Sequence, residues 1–190
     1  MSAVDAEGNI ISLIQSLYAS FGSGVVVDEY GFALHNRGAL FTLDTEHPNA
    51  LAPRKRPLHT IIPAFMQKDN LRVGFGIMGG FNQSQAHAQF VSNIVDHGMN
   101  IQMALETPRF TKLTFGGCDV SVENRIAADV RDALTARGHK LRVLGDFSDT
   151  VGGGQAVMHD ATARINYGAS DPRKDGAAVP EPHPYFGATK

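Results

Sequence analysis

The sequence predicts an α+β fold in which antiparallel sheets carry helices packed on their outer faces. Strand-length apolar runs outnumber helical ones, and most of them come in pairs around short turn signals, as hairpins do. The decisive stretch is LRVGFGIMGGFNQSQAHAQFVSNIVD, residues 71–96, which reads as strand, glycine break and amphipathic helix. With 190 residues and 43% hydrophobic content the chain is large enough to bury a core, read here as a single domain over 1–190.

In the organising stretch, Leu71, Val73, Phe75 and Ile77 alternate with Arg72 and small glycines, the period of a strand with one packed face. Beyond Met78-Gly79-Gly80, the residues Ala86, Phe90, Val91, Ile94 and Val95 recur at three-to-four spacing. Gln83, Ser84, Gln85, Gln89 and Asn93 fall largely on the other side, which predicts a helix with one buried stripe ending near Gly98. Two glycines at a strand-to-helix junction let backbone approach a ligand, and a helix start offers unpaired N–H groups that can hold an oxyanion. A tight turn needing positive φ explains the same glycines.

Taken in order, residues 2–5 and 10–17 flank a Gly8-Asn9 turn and predict a hairpin. Gly22-Ser23-Gly24 bends the chain into a strand at Val25-Val26-Val27, and Glu29-Tyr30-Gly31 turns it into another at 32–36. Residues 38–57 carry too many breakers for a regular element, and a long loop in a compact domain is usually functional. Residues 59–65 and 71–77 form a second hairpin around Lys68-Asp69-Asn70. A short helix at 100–106 stops at Thr107-Pro108, a strand follows at 119–123, and a helix at 127–136 has Val130 and Leu134 on one face with Gly138 closing it. Further strands fall at 141–144, 155–159 and 163–167, around Gly152-Gly153-Gly154. The Pro-, Gly- and Ala-rich residues 171–190 read as a loose tail.

Composition narrows the function. Nineteen acidic against seventeen basic residues leave no basic stripe for nucleic acid, and Arg54-Lys55-Arg56 is too short to form one. The longest apolar runs are strand-sized, so no membrane span is expected. A lone Cys118 excludes an internal disulfide framework. The eight histidines lack metal-ligand spacing, so neither a metal nor a cofactor is expected. Neither an n-region nor an h-region opens the sequence, which leaves the compartment, cytoplasmic or periplasmic/secreted, to whatever precedes it.

Phe21-Gly22-Ser23-Gly24, Asn36, Ala52-Pro53-Arg54-Lys55-Arg56-Pro57, Met78-Gly79-Gly80, ALETPRF at 104–110 and Gly168-Ala169-Ser170-Asp171-Pro172-Arg173 are each weak alone. In this order they resemble the γ-glutamyltranspeptidase family, specifically its small catalytic subunit, over nearly the whole chain. The resemblance implies an N-terminal nucleophile (Ntn) hydrolase sandwich, two stacked antiparallel sheets between helical layers. It implies a precursor that cleaves itself to expose a Thr, which attacks a γ-glutamyl amide of the glutathione type and passes the acyl group to water or an amine. It also implies a large subunit of the same precursor as partner.

By the same resemblance, Gly79 and Gly80 match the oxyanion glycines, and Ser16 stands where a second Thr supports the nucleophile. Thr60 matches the second of two serines that bind the substrate carboxylate, with His59 in place of the first. Tyr18 replaces an Asn near that pocket. Arg37 and Leu40 stand where the commonest members have an uncharged or acidic residue and an Asp that grips the glutamyl amine. Losing the carboxylate at Leu40 removes an ammonium partner, and Arg37 adds a fork suited to a carboxylate. An acylase acting on a dicarboxylic acyl amide is therefore a second expectation.

The family motif Thr-x-His-x-Ser-x-x-Asp matches at its end to Ser2-Ala3-Val4-Asp5, which sets the nucleophile three residues before Met1. The chain is thus expected to be a small subunit truncated just after that Thr, and inactive by itself. A terminal Ser2 acting as nucleophile would lie on the order of 13 Å down the strand at about 3.3 Å per residue. A non-catalytic fragment is the remaining alternative. Plainer readings make His59 a loop residue, His87 and His97 surface or capping residues, and Arg54-Lys55-Arg56 solvated or paired with the large subunit.

Overall fold

A computed structural model describes residues 1–114 and 116–180 of the chain. Its centre is the strand β4 (Leu71–Ile77), between β3 (Ala64–Lys68) and β8 (Gly154–Asp160), with β9 (Ile165–Ser170) beyond, in one antiparallel sheet of order β3-β4-β8-β9. Alternation along β4 sends Val73, Phe75 and Ile77 to one face, where all three are buried. There they meet Ala86 and Phe90 of α1 (Asn82–Val95) and Ile101, Ala104 and Leu105 of α2 (Ile101–Glu106). The Phe75 and Phe90 rings lie 4.7 Å apart, a tilted aromatic pair at the heart of the core.

The other face of β4 is made of glycine for a physical reason. A hairpin of β1 (Ser2–Val4) and β2 (Ile10–Ser12) packs across it, and a Cβ at Gly74 would fall 2.3 Å from Ile10 Cγ2. The small residues between the apolar ones therefore admit a second layer of sheet at close range. Ser12 Oγ ties the layers by donating to the Phe75 carbonyl at 2.8 Å.

A third sheet, β5-β6-β7, comprises β5 (Phe110–Thr111), β6 (Asp119–Glu123) and β7 (Lys140–Leu144). β6 and β7 are parallel, joined across α3 (Ala128–Ala136), so the antiparallel expectation is modified here by a strand–helix–strand crossover. α3 buries none of its residues, and Val130, expected on a packed face, is exposed.

Other differences have identifiable causes. The second arm of the first hairpin ends at Ser12 rather than continuing to residue 17, and the strands expected at 25–27 and 32–36 reduce to one bridge, Val26 to Ala33. The strand expected at 59–65 runs instead over Ala64–Lys68, because Pro63 has no N–H to donate and the Ile62 N–H donates to a helix side chain. Within the 38–57 loop, a 3₁₀ turn, Arg37–Leu40, opens the segment, and Asn49 pins it by donating to the Leu40 carbonyl while accepting from the Leu58 N–H.

Asp171 and Arg173, expected to begin a loose tail at 171–190, are buried. Arg109 and Arg173 alternate with Glu123 and Asp171 in a buried network of matched charge. Asp171 also accepts from the Gly154 N–H and Glu123 from the Ser148 N–H, so the carboxylates' remaining lone pairs are used. Residues 181–190 of that expected tail lie outside the described residues.

Candidate active site

One cavity of about 400 Å³ opens where β2 ends, the 3₁₀ turn begins and β4 breaks into α1. Each side of it has a local origin. On the first side, the backbones of Met1 and Leu13 exchange two hydrogen bonds of 2.9 Å, carrying the hairpin pairing one residue past β1 and β2. The chain then runs through Ile14 and Gln15 to Ser16, all of which line the cavity. Ser16 Oγ accepts from the Tyr18 N–H at 2.9 Å, a Ser-centred turn. Tyr18 sits at φ 79°, a left-handed conformation that costs a bulky residue strain and is retained here beside the cavity.

On the second side, Asn36 Oδ1 accepts from the Ala19 N–H at 3.0 Å and the Asn36 N–H donates to the Leu17 carbonyl. Those bonds fasten the Tyr18 turn against the 3₁₀ turn that starts at Arg37. The Arg37 guanidinium lies 5.1 Å from the Tyr18 ring centroid and donates from Nη1 to Thr60 Oγ1 at 2.9 Å. Arg37 is buried, pairs with no carboxylate among the described residues, and its Nε has no hydrogen-bond partner. A buried guanidinium with spare donors is a receptor for a planar anion.

The third side is the glycine corner. Gly79 and Gly80 take φ of 130° and 61°, so both need glycine's freedom. Their carbonyls accept from the N–H groups of Asn82 and Gln83, which starts α1, and their own N–H groups donate to no acceptor among the described residues. The pair therefore stands free at the head of a helix, where negative charge is favoured.

Ser16, Tyr18, Arg37, Thr60, Gly79 and Gly80 thus line one cavity, whereas His59 is exposed and outside it, and Leu40 does not reach it. Ser2 pairs with Ser12 and donates to the Gln155 carbonyl at 3.5 Å without lining the cavity. Gln83, which the spacing sets on the polar side of α1, lines the cavity and is buried, as are Asn82 and His87. His87, expected at the surface, accepts from the Ile77 N–H at Nε2 (2.9 Å) and packs 5.2 Å from the Phe75 ring; burial lowers its pKa below the ordinary histidine value. The only sequence signal for it is the four-residue spacing of Gln83 and His87. Among the described residues no group of His, Cys, Asp and Glu could hold a metal, and no helix is long and apolar enough to cross a membrane.

A family model described as Gamma-glutamyltranspeptidase matches residues 1–181. The chain is 38% identical over 182 residues to the glutathione hydrolase-like YwrD proenzyme of Bacillus subtilis, covering 94% of this chain and 34% of the relative. It is 39% identical over 183 residues to the oxamate amidohydrolase proenzyme of Klebsiella pneumoniae, with the same coverage, 94% and 34%. It superposes on a cephalosporin acylase from Bacillus halodurans with a TM-score of 0.87 at 44% identity, over 96% of this chain and 34% of that one. A γ-glutamyltranspeptidase from Pseudomonas nitroreducens complexed with L-DON gives 0.80 at 26% identity, covering 94% and 96%. The chain spans about a third of the length of the curated relatives it matches, which are named as proenzymes. The fold is that of the Ntn hydrolases, and the chain belongs to the γ-glutamyltranspeptidase family.

Proposed function

We propose that this chain is the small-subunit part of an amide hydrolase or acyltransferase whose nucleophile is a Thr three residues upstream of Met1, and whose acyl pocket prefers a carboxylate end. The register of the first hairpin carries the first half of this reading. Ser2 faces Ser12 and Met1 faces Leu13, so a strand continued upstream in the same register sets the residue three before Met1 opposite Ser16. The supporting hydroxyl and the nucleophile would then be cross-strand neighbours at the cavity.

The chemistry follows from the positions. The Thr hydroxyl attacks the acyl carbonyl and its proton passes to the free α-amine of the same residue. The tetrahedral oxyanion falls to the Gly79 and Gly80 N–H groups. The amine departs with the proton, leaving an ester that water or a second amine opens.

Arg37 carries the second half. Among the described residues no Asp or Glu lines the cavity, so an ammonium on the acyl group finds no anionic partner from this chain, while Arg37 and Thr60 offer donors to a carboxylate. Oxamate, named in one relative, places a carboxylate directly beside its amide. This favours a dicarboxylic or otherwise carboxylate-ended acyl amide over a strictly γ-glutamyl donor.

Intact mass and N-terminal sequencing of the natively expressed protein test the reading. The expected result is a large chain plus a small chain beginning at Thr, three residues before Met1. A single chain starting at Met1 or Ser2 would overturn it.

A further inference from the structure

The end of β4 is held by helix α1 where a neighbouring strand would be expected to hold it. Carrying the β3–β4 pairing two residues beyond Ala64 and Phe75 brings Ile62 opposite Ile77. Neither N–H crosses to the other strand. The Ile62 N–H donates to Gln83 Oε1 at 3.0 Å and the Ile77 N–H to His87 Nε2 at 2.9 Å. Gln83 and His87 are one turn apart on α1, so both side chains enter from the same face, and both are buried. Beyond this point the two backbones part around the cavity, with Thr60 on one side and Met78, Gly79 and Gly80 on the other.

We propose that Gln83 and His87 are positioning residues: they wedge the strands apart and fix the direction of the Gly79–Gly80 N–H pair, and His87 does so only as the neutral imidazole protonated at Nδ1. This rests on the reading of that corner as the oxyanion site. An N–H aimed at Nε2 requires a lone pair there. Protonation would set two donors against each other, free the Ile77 N–H in a buried place and loosen the residue that leads into Met78 and Gly79.

The surroundings favour the neutral form. His87 faces the Phe75 ring and the Ile77 backbone on β4 and Gln83 on its own helix. No charged side chain contributes to its lowered pKa, whose first cause is burial. The device is therefore a switch set to work above the His87 titration and to fail below it.

The test compares wild type, His87→Gln and His87→Leu in the full precursor-encoded enzyme. Hydrolysis of glutaryl and γ-glutamyl anilides is followed against pH, alongside the imidazole ¹⁵N shifts of His87 and the exchange rate of the Ile77 amide. The wild type should lose kcat on the acid side at the His87 midpoint, with Ile77 exchange accelerating at the same pH. His87→Leu should lower kcat about 10- to 100-fold with KM little changed, since misplacing a reacting group by an ångström costs that much. His87→Gln keeps an acceptor but cannot titrate; it should rescue kcat, keep the acid limb of the α-amine base, and remove the further, steeper loss at the His87 midpoint. A second acid-side loss that persists unchanged in His87→Gln, or an Nε2-protonated tautomer in the wild type, would overturn the proposal even if His87→Leu fails to fold. Absence of anilide hydrolysis in the wild type would instead count against the functional reading, and the tautomer and Ile77 exchange would still decide the positioning.

Discussion

Arg173 donates from Nε to Glu123 Oε1 at 2.7 Å and from Nη2 to Glu123 Oε2 at 2.5 Å, joining two fully buried side chains that lie fifty residues apart. The same guanidinium donates from Nη1 to Asp171 Oδ1 at 3.0 Å and to the Leu105 carbonyl at 2.8 Å. Asp171 in turn holds Arg109. Both motif blocks that carry the family resemblance in the second half of the chain thus meet in one structural lock, none of whose side chains lines the cavity. Replacing Arg173 by Met leaves Glu123 with Arg125 at 3.3 Å as its remaining charged partner, beside the Arg109 and Ser148 N–H groups. We expect a loss of about 3–5 kcal/mol, the usual cost of breaking a buried pair from one side, in denaturant unfolding. The double variant Arg173→Met with Glu123→Gln should lose less than the sum of the two single ones.

The lock also predicts an acid limit to stability. Burial alone would raise the Glu123 pKa, but hydrogen bonds from Arg173 and from the Arg109 and Ser148 N–H groups outweigh it and hold it below the ordinary value. A depressed carboxyl contributes stability that is complete above its unfolded value and is lost as pH falls through the folded one. Unfolding free energy should therefore decline as pH drops below the ordinary glutamate range, and the Glu123→Gln variant should show a shallower decline. Urea titrations across that range, with both proteins in the same buffers, measure the difference.

Much of this arrangement was legible in the residues. Alternation in 71–77 announced β4, and the family blocks placed Ser16, Tyr18, Arg37, Thr60, Gly79 and Gly80 around one substrate, which the fold gathers at one cavity. His59, matched to the first of the two serines, is exposed and outside the cavity that its neighbour Thr60 lines. Gln83 and His87 were hidden because polar side chains on a helix ordinarily face water. Their partners are backbone N–H groups orphaned by a strand that stops early, a tertiary circumstance with no local sign. The 171–190 stretch looked loose from its Pro, Gly and Ala content, which says nothing of the two charges that anchor its start.

Arg37 gives the substrate prediction. If its guanidinium receives the carboxylate end of the acyl group, Arg37→Leu should lower kcat/KM for a glutaryl anilide by about 10- to 100-fold, matching the 1.5–3 kcal/mol of a hydrogen bond to a charged group. Arg37→Lys should recover only part, since an ammonium lacks the planar fork and the stacking on Tyr18. Thr60→Val should produce a smaller fall in the same direction by freeing Nη1. Parallel assays with a γ-glutamyl anilide distinguish the alternatives: a strict requirement for the α-amine in the wild type would sink the carboxylate-end reading.

The glycine corner separates two ways in which a glycine can be required. Gly152 lies under Met78, where an added Cβ would stand 2.0 Å from the Met78 carbonyl oxygen and 2.9 Å from Asn82 Nδ2, at a φ of 75°. Gly80 has a φ of 61° but open space where its Cβ would go. Gly80→Ala should therefore cost only the left-handed conformation, about 1–2 kcal/mol, with the backbone in place. Gly152→Ala adds an unavoidable collision with the backbone that precedes Gly79, and overpacking of this kind costs about 1–3 kcal/mol beyond the conformational term. The Gly152 variant should also lower kcat in the precursor-encoded enzyme, because the displaced Met78 carries the Gly79 N–H with it. Unfolding curves and kcat measured on both variants check this, and a Gly152→Ala protein as stable and active as Gly80→Ala would show that the corner yields more easily than its contacts imply.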